Sequence, residues 1–164
     1  MPNQLSMIKD NQVVNDEWTL VTDDESTIVD NSIVPLSLWE AQTDLQNRSD
    51  IGVWITNDVE LNAIGNDITK APLIAIEFPV FMDGRGFSLA RLLRERYNYQ
   101  GEIRAIGHII RDQLCYLKRC GFNAFTFTDD SGVDVNEALN SLNDFTEAYQ
   151  TSVDKPQPLF RRRA

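Results

Sequence analysis

Two arginine-bearing motifs in the middle of the chain have the residue types and spacing to hold an anion. Asp83-Gly84-Arg85-Gly86 lies between an apolar run and a helical pattern. Closely spaced glycines let backbone amides approach an anion, and a helix N-terminus adds partial positive charge. The second motif is Arg104, Gly107-His108 and Arg111-Asp112-Gln113, which places several donors around one strand-to-helix connection. Guanidinium forks suit sulfate, phosphate and carboxylate because they donate two parallel hydrogen bonds. Three side chains qualify as an acid or base: Asp112, Glu77 near the end of the apolar run 73–78, and His108, the only histidine. Each motif also has a plain structural alternative. The glycines can make a tight turn, Arg111 and Asp112 can form surface pairs worth about 0 to 1 kcal/mol, and His108 can be a loop residue.

Several chemistries lack their residues. Gly84-Arg85-Gly86 begins like a dinucleotide fingerprint, but Leu89 stands where the third glycine belongs, and Glu102 begins a strand instead of ending one. Cys115 and Cys120 are the only cysteines, too few for the usual four-thiolate iron–sulfur cluster, and with one histidine no zinc set is evident. On one helix the two thiols point roughly 140° apart. Cys120 therefore reads as a core thiol and Cys115 as a partly exposed one. A phosphate-binding Walker motif and a nucleophile elbow are also missing. No cofactor is evident, and redox chemistry would draw on a partner's cofactor.

The charge pattern sets these motifs apart from the rest of the chain. The 164 residues carry a net charge of -10, which disfavours nonspecific nucleic-acid binding. Residues 1–82 hold 3 basic and 14 acidic side chains, residues 83–120 hold 8 and 4, and residues 121–164 hold 4 and 7. The middle is a cationic island in an acidic protein. The apolar runs are far shorter than the roughly 20 residues a membrane helix needs, and Met1 to Asn11 has no signal-peptide pattern. The expected location is the cytoplasm.

A composition of 42% hydrophobic and 24% charged residues is that of one globular domain. Val13-Val14 and Trp18 to Val21 read as a hairpin around Asn15-Asp16, and Asp23 to Asp30 as a loop, so residues 1–30 form an N-terminal annex. An α/β domain follows over 31–150. Ser37 and Glu40 match a capping box for a helix to about Asn47. Ile51 to Thr56 is a strand, and Asn57 caps a helix that turns Leu61, Ile64 and Ile68 inward. Leu73 to Phe78 is an apolar strand interrupted only by Glu77, of the kind buried on both faces of a parallel sheet. Leu89, Leu92, Leu93, Arg96 and Tyr97 give the next helix, Tyr99 to Gly101 a turn, and Ile103 to Ile106 a strand. Ile110, Leu114 and Leu117 lead a helix to Gly121, Ala124 to Thr128 is the last strand, and Asp134 caps a helix reaching Phe145. Residues 151–164 form an extended basic tail ending Arg161-Arg162-Arg163.

About four strand-and-helix units in a mainly parallel sheet fit a half (β/α)8 barrel or an open sheet. Ligands in either bind at the C-terminal strand ends, and exposed sheet edges would favour a homodimer.

Residues 83–122, DGRGFSLARLLRERYNYQGEIRAIGHIIRDQLCYLKRCGF, closely resemble the bacterial domain of unknown function 934 family, as does PLFRRR at 158–163. The resemblance extends over 30–163. It implies a protein encoded beside the assimilatory sulfite reductase hemoprotein and often labelled a probable oxidoreductase of sulfite reduction. The family pattern falls on Asp83, Gly84, Arg85, Gly86, Arg91, Arg104, Gly107, Arg111, Asp112, Gln113, Arg119 and Gly121. All but Gly121 are taken as anion- or partner-binding candidates. His108 replaces an acidic residue of the pattern, which weakens a catalytic base at that position. Two functions follow as expectations. One is an accessory protein that binds the reductase or an anionic sulfur metabolite; the other is a small enzyme acting on a sulfated, phosphorylated or carboxylated molecule.

Overall fold

The computed structural model describes residues 5–23, 27–80, 84–128 and 131–142. Asp83 and the tail 151–164 lie outside the described residues, as does the end of the last helix toward Phe145. The chain starts with an antiparallel hairpin of β1 (Ser6–Lys9) and β2 (Gln12–Asn15). Its turn is Asp10-Asn11, both at positive φ (50° and 63°), a conformation Asp and Asn tolerate better than other side chains. The hairpin turn thus falls five residues before Asn15-Asp16, the pair expected from sequence, and β2 runs up to that pair rather than starting after it. The Asp16 carboxylate instead accepts from the Trp18 amide at 3.0 Å, a local turn that redirects the chain, and β3 (Thr19–Leu20) runs parallel to β4 (Ser32–Pro35).

From β4 onward strands and helices alternate. The strands are β5 (Ile51–Thr56), β6 (Leu73–Phe78), β7 (Glu102–Gly107) and β8 (Ala124–Phe125). The helices are α1 (Leu36–Ala41), α2 (Thr43–Gln46), α3 (Leu61–Ile64), α4 (Arg85–Glu95), α5 (Leu114–Cys120) and α6 (Val135–Ser141), with 3-10 turns at Gly65–Lys70 and Arg111–Gln113. The eight strands form one sheet in the order β2-β1-β8-β7-β6-β5-β4-β3, parallel from β3 to β8. Each parallel strand lies beside its predecessor in the chain. A doubly wound sheet would reverse direction at a switch point, so the curled sheet is a half-barrel, with the hairpin added antiparallel at β8.

Local chemistry explains the helix ends. Pro35, with φ -62°, precedes α1, so Ser37 falls inside the first turn and caps nothing. Gln42 takes an extended conformation and divides the expected first helix in two. Asp134 caps α6 as expected, accepting from the amides of Asn136 and Glu137 at 2.9 and 3.0 Å. Gly121 ends α5 at φ 119°, where a side chain would be strained.

Strand alternation sorts the core into two faces. Val34, Val53, Ile55, Ile74, Ile76, Phe78, Ile103, Ala105 and Phe125 pack under the helices. Ile33, Leu73, Ala75 and Ile106 point to the concave side, with Trp18 and Trp54 against them. Segment 15–21 straps this concave face, and Trp54 Nε1 donates to the Val21 carbonyl at 2.8 Å.

One arginine of α4 is structural. Arg94 is half-buried, donating from Nε to the Gly121 carbonyl at 3.0 Å and from Nη1 to the carbonyls of Tyr99 and Gly101, both at 2.8 Å. It joins α4 to the chain on both sides of β7. Burial lowers its pKa from the usual arginine value, partly offset by Tyr99 and Asp10. Beside it, the buried Tyr99 hydroxyl donates to the Ala71 carbonyl at 2.8 Å. Burial pushes the Tyr99 pKa up from its ordinary value of 10.0. Since the folded value exceeds the unfolded one, Tyr99 contributes stability that is present below pH 10 and is lost as pH rises further. Tyr99→Phe should therefore cost about 1 kcal/mol at pH 7 from the lost hydrogen bond, and denaturant melts should show this gap narrowing above pH 10.

Candidate functional site

The strand ends that lead into the two arginine-bearing motifs are adjacent. Phe78 and Gly107, at the ends of β6 and β7, are register partners, and the His108 amide donates to the Phe78 carbonyl at 2.7 Å. Gly107 has φ 88°, and a Cβ there would stand 2.6 Å from the Phe78 carbonyl oxygen, so only glycine lets the strands meet this closely. Beyond this point the chain enters α4 from one strand and the Arg111–Gln113 turn from the other. Val80, His108, Ile110, Arg111 and Asp112 are exposed along this rim.

The residues do not all serve an anion. Gly84 is exposed, but Gly86 is buried, and a Cβ on it would lie 2.6 Å from Phe78 Cζ. The Phe78 ring is itself packed against Phe87 and Phe122, with centroids 5.5 and 5.8 Å away. Gly86 thus serves helix-to-sheet packing. Arg85 is exposed in the first turn of α4. Arg91 pairs with Glu95 at 3.1 Å on the surface, and Gln113 folds back to accept from the Ile110 amide at 3.1 Å. Arg111 reaches the Ser141 hydroxyl and, at 3.5 Å, Glu137, fastening α6 to the rim. Arg119 lies with its guanidinium carbon 5.9 Å from the Tyr116 ring centroid, and its buried Nε has no hydrogen-bond partner among the described residues. Cys120 is buried and Cys115 half-buried.

Arg104 is the main departure. It is the third residue of β7 and points to the concave side, whereas the sequence reading placed it at the strand's end with Arg85 and Arg111. It is 2% exposed. Its Nε donates to Glu102 Oε1 at 2.8 Å, and its Nη1 to both Asp16 carboxylate oxygens at 2.9 and 3.0 Å. Glu102, 7% exposed, also pairs through Oε2 with Lys9 Nζ at 2.9 Å. The result is a chain of alternating charge, Lys9–Glu102–Arg104–Asp16. Sequence spacing does show that Glu102 and Arg104 share a strand face, but nothing local points to Asp16, 88 residues away. The network borders two voids that share Trp18 and Arg104 in their walls: a cleft of about 570 Å³ lined also by Met7, Lys9, Val14 and Glu17, and one of about 230 Å³ toward Ile106, Gly107 and Phe127.

Glu77 sits near the C-terminal end of β6 on the concave side, half-buried, with no hydrogen bond or ion pair among the described residues. Among those residues no group of three or more His, Cys, Asp or Glu side chains is arranged to hold a metal ion. No helix among them is long and apolar enough to cross a membrane.

These features define a half-barrel α/β protein with a charged concave face and a basic rim at its strand ends. The family model for bacterial proteins of unknown function, domain 934, matches residues 52–160, and the chain belongs to that family. No curated protein and no solved structure matches it.

Because Arg104 is buried between two carboxylates, removing it leaves negative charge uncompensated. Arg104→Met should lower unfolding free energy by about 3 to 5 kcal/mol. Adding Asp16→Asn and Glu102→Gln should restore part of the loss, as measured by urea denaturation.

Proposed function

We propose that this chain is an accessory protein of assimilatory sulfite reduction. In this reading it meets the sulfite reductase or an anionic sulfur metabolite at the rim formed by the β6–α4 and β7–α5 connections. The observation that carries the reading is the adjacency of those connections: Phe78 and Gly107 are partners, so Arg85 and Arg111 begin helices that leave neighbouring strand ends. Exposed Val80 and Ile110 add apolar surface beside the cations, a mixture suited to protein contact. The link to sulfite reduction rests on the family resemblance of residues 83–122.

A second reading is favoured by Glu77. A half-buried carboxylate near a C-terminal strand end occupies the position where barrel enzymes keep catalytic groups. It could act as the base of an oxidoreductase or other small enzyme working on a sulfated, phosphorylated or carboxylated molecule. Asp112 and His108, both exposed, are less well placed for that role.

Copurification separates the two. The accessory reading expects the reductase to be retained by the wild-type chain and retained at least tenfold less by the Arg85→Ala/Arg111→Ala double variant, with Glu77→Gln behaving as wild type. Absence of any association, together with unchanged sulfite-dependent growth of a deletion strain, would overturn it.

A further inference from the structure

The concave cleft lies on the opposite face of the sheet from the helices, and the proposed rim contacts make no use of it. We infer that it is a small-molecule site for a ligand carrying a carboxylate and an ammonium group on an apolar body, the chemistry of a free amino acid.

A guanidinium has five N–H groups. In Arg104, Nε is taken by Glu102 and Nη1 by Asp16, while Nη2 has no hydrogen bond among the described residues. The side chain is almost wholly buried yet lines both voids. Lys9, on the same wall, has one partner among the described residues, Glu102, and an ammonium carries three donors. Two cations held in fixed positions therefore present spare donors to one cleft, which suits a carboxylate.

Charge balance decides the rest of the ligand. Lys9 and Arg104 are already offset by Glu102 and Asp16, so a bare anion would meet no net positive charge. Glu17 also lines the cleft, and its exposed carboxylate makes no hydrogen bond or ion pair among the described residues. A ligand with both signs satisfies this arrangement, its carboxylate on Arg104 and Lys9 and its ammonium on Glu17. Met7, Val14 and the Trp18 indole supply apolar wall, and about 570 Å³ leaves room for an aliphatic or aromatic side chain.

Isothermal titration of the full chain tests the inference with phenylalanine, its N-acetyl derivative, its amide and inorganic sulfate as probes. Phenylalanine is expected to bind, with each of the other three at least roughly tenfold weaker, the size of one lost charge-assisted hydrogen bond. Glu17→Gln, an exposed position, should weaken phenylalanine by a similar factor while leaving the thermal melt unchanged. Failure of apolar amino acids to bind at millimolar concentration would overturn the inference. So would sulfate, the amide or the N-acetyl derivative binding as tightly as phenylalanine, or a Glu17→Gln variant that binds phenylalanine undiminished. Each readout is independent of reductase association, so this site and the rim stand or fall separately.

Discussion

The structure depends most on the need to satisfy the guanidinium of Arg104 away from water. An ion in that position is tolerated only with close partners of opposite charge and good hydrogen-bond geometry. Glu102 comes from the same strand, but Asp16 comes from the N-terminal strap. Satisfying one side chain therefore fixes where the strap crosses the sheet. That crossing in turn sets Trp18 against Ile33, Leu73, Ala75 and Ile106. Through Lys9 and Glu102 the same network also ties β1 to β7, across the strand β8 that lies between them.

The cationic island looks different once its side chains have places. Arg94 is held by backbone carbonyls, Arg104 by carboxylates and Arg91 by Glu95. Formal charge along a sequence is thus a poor guide to surface potential when the cations serve as internal ties. Arg85 and Arg111 lie exposed at the helix starts on the rim, and Arg111 is itself paired with Ser141 and Glu137.

Much of the fold was legible because its signals are local. The run 73–78, apolar but for Glu77, specified a two-sided strand, Asp134 specified a helix start, and Gly121 a helix end. The N-terminus was less so. Asp10-Asn11 and Asn15-Asp16 are equally good turn pairs by composition, and what selects the first is that Met7 and Ile8 are buried against the sheet, a tertiary fact. Alternation could show that Glu102 and Arg104 share a face, but not which face the strap would cover. The glycine loop was ambiguous for a related reason. Packing beneath Phe78 and approach to an anion both call for a missing side chain, and only coordinates show that Gly86 does the former.

Arg94 and Arg104 also differ in how far along the chain their partners lie. Those of Arg94 fall between residues 99 and 123, so they close loops of 29 residues or fewer. The Arg104–Asp16 pair closes one of 88. Because the entropy lost in closing a loop grows with its length, and distant contacts form more slowly, the 85–123 segment can organise itself around Arg94 with little help from the rest. The strap gains its charged partner only after β7 exists, so a segment synthesised well before its partner waits longest for its place.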